Sequence, residues 1–208
     1  LPAGGAADAP VRIRVASRPD PDAPPPAPRL PTVDYFGRRG VKNAAPNPSF
    51  EDVTVPGLPD YVIPHCVVGF AETGMRVVDT DPYHGKVCLQ LTHRTGDTLL
   101  NYAGFHIACA PQHPRPETYT WSLYMKGSRD GQQVLIGSHE MKAWNGTEWV
   151  KSWKTVALTR EWKRYAVTGP VPANVPRECG LEFQFRDVGT IWVDALQFER
   201  GDAATDFE

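Results

Sequence analysis

No apolar run in this sequence approaches the length needed to span a bilayer. Net charge is low, −2 at pH 7, so neither nucleic acid nor an anionic membrane is an electrostatically favoured partner. There is no GxSxG, HExxH, phosphate loop or dinucleotide fingerprint, which removes the chemistries those motifs carry. His65, His84, His93, His106, His113 and His139 are scattered, and no pair has helical metal-ligand spacing. Cysteine is scarce. Cys66, Cys88, Cys109 and Cys179 form no CxxC pair, so a zinc site or redox motif is not expected. Four cysteines allow three pairings; equally, they can stay free as small buried apolar residues. No long amphipathic helix and no internal repeat is evident. The chain begins at Leu1 without Met or an apolar signal core, as expected of a processed or excised piece.

What is present reads as a globular chain: 41% hydrophobic and 22% charged residues are ordinary values, and 208 residues allow one large domain or a domain plus an arm. Residues 1–46 are rich in Pro and Ala, most densely over Asp20–Pro28. Pro lacks an amide donor and stiffens the chain toward polyproline II, so this stretch is expected to be a semi-rigid linker or arm. Val11–Val15 alternates and can be a strand, either the end of a preceding domain or an added edge strand. Tyr35 and Phe36 can anchor the arm.

From Asn47 the character changes. Short alternating runs recur between Gly, Pro, Asn and Asp, which predicts an all-β antiparallel sandwich over 47–208. Val87, Leu89 and Leu91 share one face of their run. So do Tyr119, Trp121, Leu123 and Met125, and likewise Leu181, Phe183 and Phe185. Further strands are expected over 74–78, 102–108, 133–138, 162–168 and 191–198.

The sharpest local signal is Glu140–Trp153, with Trp144, Trp149 and Trp153 around Asn145-Gly146. Asn-Gly favours a two-residue type I′ turn, which would pair Trp144 with Thr147 and Lys142 with Trp149. Three indoles and two lysines, Lys142 and Lys151, then share a face. Flat indoles suit the C–H face of pyranose rings, and polar neighbours suit the hydroxyls. They can equally cover the sandwich edge beneath lysine stems, with Trp153 the one most suited to the core. Asn145-Gly146-Thr147 also matches an N-glycosylation acceptor.

If the odd members of 119–125 point inward, Ser122, Tyr124 and Lys126 point outward. By the same logic Tyr102, Gly104 and His106 point outward, with Glu182, Gln184 and Arg186 on their strand. His139 ends its strand beside the hairpin. Such a surface is either a ligand face or merely the wet side of an antiparallel sheet. Cys88 and Gln90 are expected on the outer face of theirs.

Asn47-Pro-Ser-Phe-Glu51, His84-Gly-Lys86, Tyr119–Lys126, Leu158–Tyr165 and Trp192–Glu199, in this order and spacing, resemble the jelly-roll carbohydrate-binding modules of families 4, 9 and 22, within the galactose-binding-like fold. The likeness spans Asn47 to Glu208. It departs where Gly57–Tyr61 stands in place of the usual Gly-Trp, and in the length of the tryptophan hairpin. The resemblance implies a non-catalytic module that binds polysaccharide or oligosaccharide. Such a module would be ancillary to a larger secreted, extracellular or cell-surface protein whose other domains are its neighbours. Trp144, Trp149, Tyr124, Tyr102, His106, His139, Gln184 and Arg186 would form the sugar surface. It also implies one structural calcium, held by Glu51, the Lys86 carbonyl, Asp194 and the backbone of Ser49, tying the first strand to the last. Glu51 and Asp194 can instead pair with surface cations.

Two other functions stay open. One is an architectural spacer that buries its aromatics against a neighbouring domain. The other is a jelly-roll glycosidase or lyase, which needs two carboxylates across a cleft; Glu182 with Glu140 or Glu148 are the candidates.

Overall fold

Period-two alternation becomes ten strands in the computed structural model: β1 (Val62–Pro64), β2 (Met75–Val78), β3 (Cys88–His93), β4 (Ala103–Ile107), β5 (Glu117–Gly127), β6 (Gln133–Trp144), β7 (Trp149–Ala157), β8 (Lys163–Val171), β9 (Leu181–Phe185) and β10 (Gly189–Arg200). The structure describes residues 43–64, 74–94, 103–107, 116–144, 149–171, 181–185 and 187–207; of these, 63–64, 103–107, 139–144 and 149–152 are described by backbone alone. Residues 1–42 of the expected arm, with Val11–Val15, Tyr35 and Phe36, lie outside the described residues. No helix occurs among the described residues, hence none long and apolar enough to cross a membrane.

Two five-stranded sheets face each other, all pairs antiparallel. The front sheet runs β1-β4-β9-β6-β7 and the back sheet β2-β3-β10-β5-β8. The alternating apolar positions meet between them. Leu89, Leu91, Tyr119, Trp121, Leu123, Met125, Ile191, Val193 and Phe198 come from the back; Val134, Ile136, Leu181, Phe183 and Phe185 come from the front. Trp121 stacks on Phe198 with centroids 4.3 Å apart. Each such side chain contributes roughly 1.5–3 kcal/mol by leaving water.

The segment at Asn43 is tied to β10, and the segment after β10 to the back sheet. Asn43 Nδ2 donates to the Leu196 carbonyl, and its Oδ1 accepts from the Phe198 and Ala45 amides. A β-bulge then inserts one extra residue in β10 between Asp194 and Gln197, where Ala195 adopts φ 49. The bulge resets the alternation: Val193 and Leu196 both reach the core, while Asp194 and Gln197 lie on the other side. After Arg200 the chain folds back as a strap over 201–207. It covers part of the back sheet's outer surface through Thr120 Oγ1 to the Gly201 carbonyl and Arg164 to the Thr205 carbonyl.

Three local expectations change. The hairpin pairs Trp144 with Trp149, Ala143 with Val150 and Lys142 with Lys151, leaving four residues between the closing pair instead of two. A four-residue connection is the next family of hairpin loops. The slip is by two residues, which keeps the pairing parity of the two strands. Between Ser138 and Lys142, β6 carries three residues with no counterpart on β7, which no alternation signal announced. Finally, Ser122 is fully buried, because Arg164 Nη2 donates to its hydroxyl beneath the strap.

Candidate functional site

The front sheet brings one group of candidates together. Leu181, Phe183 and Phe185 are in the core, so Glu182 and Gln184 of β9 take the outer face. Register then sets their neighbours. One rung, Ile63–His106–Glu182–Gly137–Trp153, crosses all five strands. The next, Gly104–Gln184–Leu135–Thr155, crosses four. Glycines therefore stand beside Glu182 and beside Gln184, and no side chain rises at those two positions. Glu182 is 6% exposed and Gln184 half-buried. Trp153 is half-buried on this outer side, opposite Gly137, and does not belong to the core cluster that its sequence context suggested. Alternation along β7 carries positions 149 and 151 to the same face as 153. His139 falls in the three-residue insertion of β6. Tyr102 and Arg186 lie outside the described residues.

Tyr124 is elsewhere. It belongs to β5, so its outward position is on the back sheet, across the sandwich from Gln184. Its ring lies parallel to Tyr83 at a centroid distance of 3.6 Å. Arg164 sits 5.7 Å from the Tyr124 centroid. The hydrogen bond between the two phenols, followed by burial, pushes the Tyr83 hydroxyl above its ordinary pKa. Lys126 reaches over Trp162 and Trp192, at 4.8 Å and 5.3 Å from their centroids, and pairs with Asp81. Sequence alternation predicted that Tyr124 and Lys126 point outward. It carried no signal that Tyr83 and Trp162 would join them, because a loop and a strand start supply those rings.

The two carboxylates expected to bridge first and last strands both meet the 83–87 turn. Glu51 Oε1 accepts from the amides of Lys86 at 2.7 Å and Val87 at 3.2 Å. Asp194 Oδ2 accepts from Tyr83 and His84, each at 2.9 Å, and Oδ1 from Ala195 at 2.7 Å. Gly85 (φ 70) makes room for the Glu51 carboxylate; a Cβ there would lie 2.1 Å from Oε1. Ser49 Oγ is engaged by His84 Nδ1 at 2.8 Å. Burial raises the Asp194 carboxyl to about 6, against the lowering effect of its three backbone donors, and the Glu51 charge adds to the rise. Among the described residues, no group of three or more His, Cys, Asp or Glu is placed to hold a metal ion. Cys88 lies under the same loop, buried and free, with its thiol pushed up to about 12 by burial and by Asp194. Cys66, Cys109 and Cys179 lie outside the described residues.

Two antiparallel five-stranded sheets in this order define a class: the chain has the jelly-roll β-sandwich fold of carbohydrate-binding modules. No protein-family model matches the sequence, and no curated protein matches it either. Solved structures do. A family 4 module aligns at TM-score 0.50 with 18% identity, covering 76% of this chain and 99% of its own. A family 61 module solved with β-1,4-galactotriose aligns at 0.51 with 14% identity, covering 77% and 99%. A tandem of two family 22 modules from Paenibacillus barcinonensis Xyn10C aligns at 0.52 with 17% identity, covering 76% and 44%. At these identities the likeness establishes the fold.

Proposed function

We propose that this chain is a non-catalytic carbohydrate-binding module, ancillary to a larger secreted glycoside hydrolase or surface protein, and that it binds polysaccharide on the outer face of the front sheet. The observation that carries the reading is the rung Glu182–Gly137–Trp153. An indole and a carboxylate stand two strands apart, about 10 Å, with a side-chain-free position between them. A pyranose ring of that span would lay its C–H face on the indole and turn its hydroxyls toward Gln184, over the buried Glu182. Position 149 lies on the same face of β7 as position 153, and its register partner on β6 is position 144. The fold's neighbours include a sugar complex, which supports the same class of ligand. The catalytic alternative needs a second carboxylate facing Glu182. Of its proposed partners, Glu140 is described by backbone alone and Glu148 lies outside the described residues.

The calcium reading fits in donor type. Glu51 and Asp194 bring two carboxylates from distant parts of the sequence to one turn, and the Glu51 charge disfavours the ionised form of Asp194. A hard divalent cation would relieve that repulsion. Since only two carboxylates converge among the described residues, the remaining ligands would be carbonyl oxygens, those of Lys86 and Ser49 being the nearest in sequence to the donors, and water.

Affinity electrophoresis through soluble xylan, β-1,4-galactan and mixed-linkage β-glucan tests the binding reading. Retardation by one polymer class, abolished in a folded Trp149→Ala/Trp153→Ala variant, is the expected result. A wild-type chain that no polymer in a broad panel retards would instead favour the architectural spacer.

A further inference from the structure

The outer face of the back sheet carries an aromatic surface that the front-sheet site does not use. One rung there, Arg76–Gln90–Trp192–Lys126, crosses four adjacent strands. Trp162, just before β8, continues it, since Lys126 Nζ lies between the two indoles. Tyr83 adds a third ring, edge-on to Trp162 at 6.1 Å and 42% exposed. The wet face of an antiparallel sheet is normally polar. Here two half-buried tryptophans and an exposed tyrosine occupy it. Part of this arrangement holds the 81–85 loop down: Trp162 Nε1 donates to the Asp81 carbonyl, and Tyr83 lies flat on Tyr124. That clamp uses one face of Tyr83, and the phenol remains the most exposed aromatic of the cluster.

The strap sets one limit of this surface. It buries Thr120 and Ser122 farther along β5, and Phe207 packs on His84. The other limits are amide and hydroxyl groups. Gln90 donates to Thr92 Oγ1, which bonds Thr190 Oγ1 at 3.1 Å. The charge inside the platform is closed: Lys126 is only 11% exposed in its side chain and is paired with Asp81. Its ammonium fills the space between the indoles without offering a free cation. Trp192 and Trp162 lie two strands apart, about 10 Å, roughly the length of two linked pyranose rings.

We infer that the outer face of the back sheet is a second glycan-contact site, with Tyr83, Trp162 and Trp192 as its platform for a neutral pyranose chain and Gln90 and Thr92 at its polar edge. It rests on the reading of the chain as a glycan-binding module but uses the opposite side of the sandwich. Two sites facing away from each other cannot engage one stretch of polymer. They join two chains of polymer instead. Because the ligand is a neutral pyranose chain, its binding does not depend on salt.

The test is calorimetric titration with xylo- and galacto-oligosaccharides, plus turbidity of soluble xylan and β-1,4-galactan, on four proteins. These are the wild type, a Tyr83→Ala/Trp192→Ala variant, a Trp149→Ala/Trp153→Ala variant, and the combination. The expected result is two sites per chain in the wild type, one in each double variant and none in the combination. Polymer cross-linking would be seen only in the wild type and be insensitive to salt between 50 mM and 500 mM, roughly a threefold change in Debye length. Where Trp192→Ala prevents folding, Tyr83→Ala alone carries the test, with a several-fold loss of the second-site affinity expected. One site in the wild type, lost only in the front-sheet variant, overturns the inference and leaves the front-sheet reading standing. One site lost only in the Tyr83→Ala/Trp192→Ala variant does the reverse. No binding by any protein overturns both.

Discussion

Gly85→Ala tests the closure of the chain by Glu51 most sharply. The residue sits at φ 70, where an L side chain is strained by about 1–2 kcal/mol. Its new Cβ would also stand 2.1 Å from Glu51 Oε1 and 2.9 Å from Cδ. The flexible carboxylate must therefore swing away, giving up its bonds to the Lys86 and Val87 amides. These are charge-assisted but solvent-accessible, so together they contribute about 1–2 kcal/mol, the low end for such bonds. The sum is about 2–4 kcal/mol. In urea unfolding at pH 7 with chelator present, Gly85→Ala should lower stability by that amount, or Tm by about 5–15 °C. In a Glu51→Ala background the steric conflict has no partner, so the same substitution should cost only the backbone strain. The resulting coupling is about 1–2 kcal/mol, well above the additivity expected of independent sites. Equal costs in both backgrounds would refute the claim that the glycine exists to seat this carboxylate.

Other predictions follow from the same geometry. Asp194 titrates at about 6 folded and about 3.8 unfolded, so the folded state holds more protons between those values. In EDTA, wild-type stability relative to Asp194→Asn should fall as pH rises from about 4 to about 6, by at most about 3 kcal/mol. Saturating calcium should remove that fall, as followed by thermal denaturation; a wild-type chain stabilised over the same window in EDTA would contradict the assignment. Leu123→Ala, at a fully buried position, should cost about 2–5 kcal/mol in urea, against under about 0.5 kcal/mol for Val55→Ala, which is 56% exposed. Cys88, buried and with its thiol raised to about 12, should resist iodoacetamide at pH 8 in the folded protein and react on unfolding, as read by peptide mass.

Local alternation made most of the sandwich legible. Tyr119, Trp121, Leu123 and Met125 are inside as their spacing requires, since one pleated strand fixes which side each residue takes. Alternation cannot say which sheet a strand joins. Tyr124 and Gln184 both read as outward, and they are, but on opposite outer surfaces, because β5 and β9 pair with different neighbours. The same limit hid Ser122, which is covered by a strap from eighty residues downstream. The tryptophan hairpin kept its pairing parity because its register slipped by an even number. The meeting of Glu51 with the 83–87 turn and Asp194 came through the motif resemblance; no spacing rule brings residue 51 to residue 194. Gly137 and Trp153 became a pair only through the register of β6 against β7. A rung across five strands is a non-local object that no single segment announces.

The most direct measurement is an amide-resolved NMR titration of the folded chain with an oligosaccharide from the polymer that retards it most. The account predicts shift changes in Glu182, Gln184, Gly137 and Trp153 and their neighbours on the front sheet, saturating with ligand. Binding that leaves those amides unmoved, or no binding by any oligosaccharide offered, would contradict it.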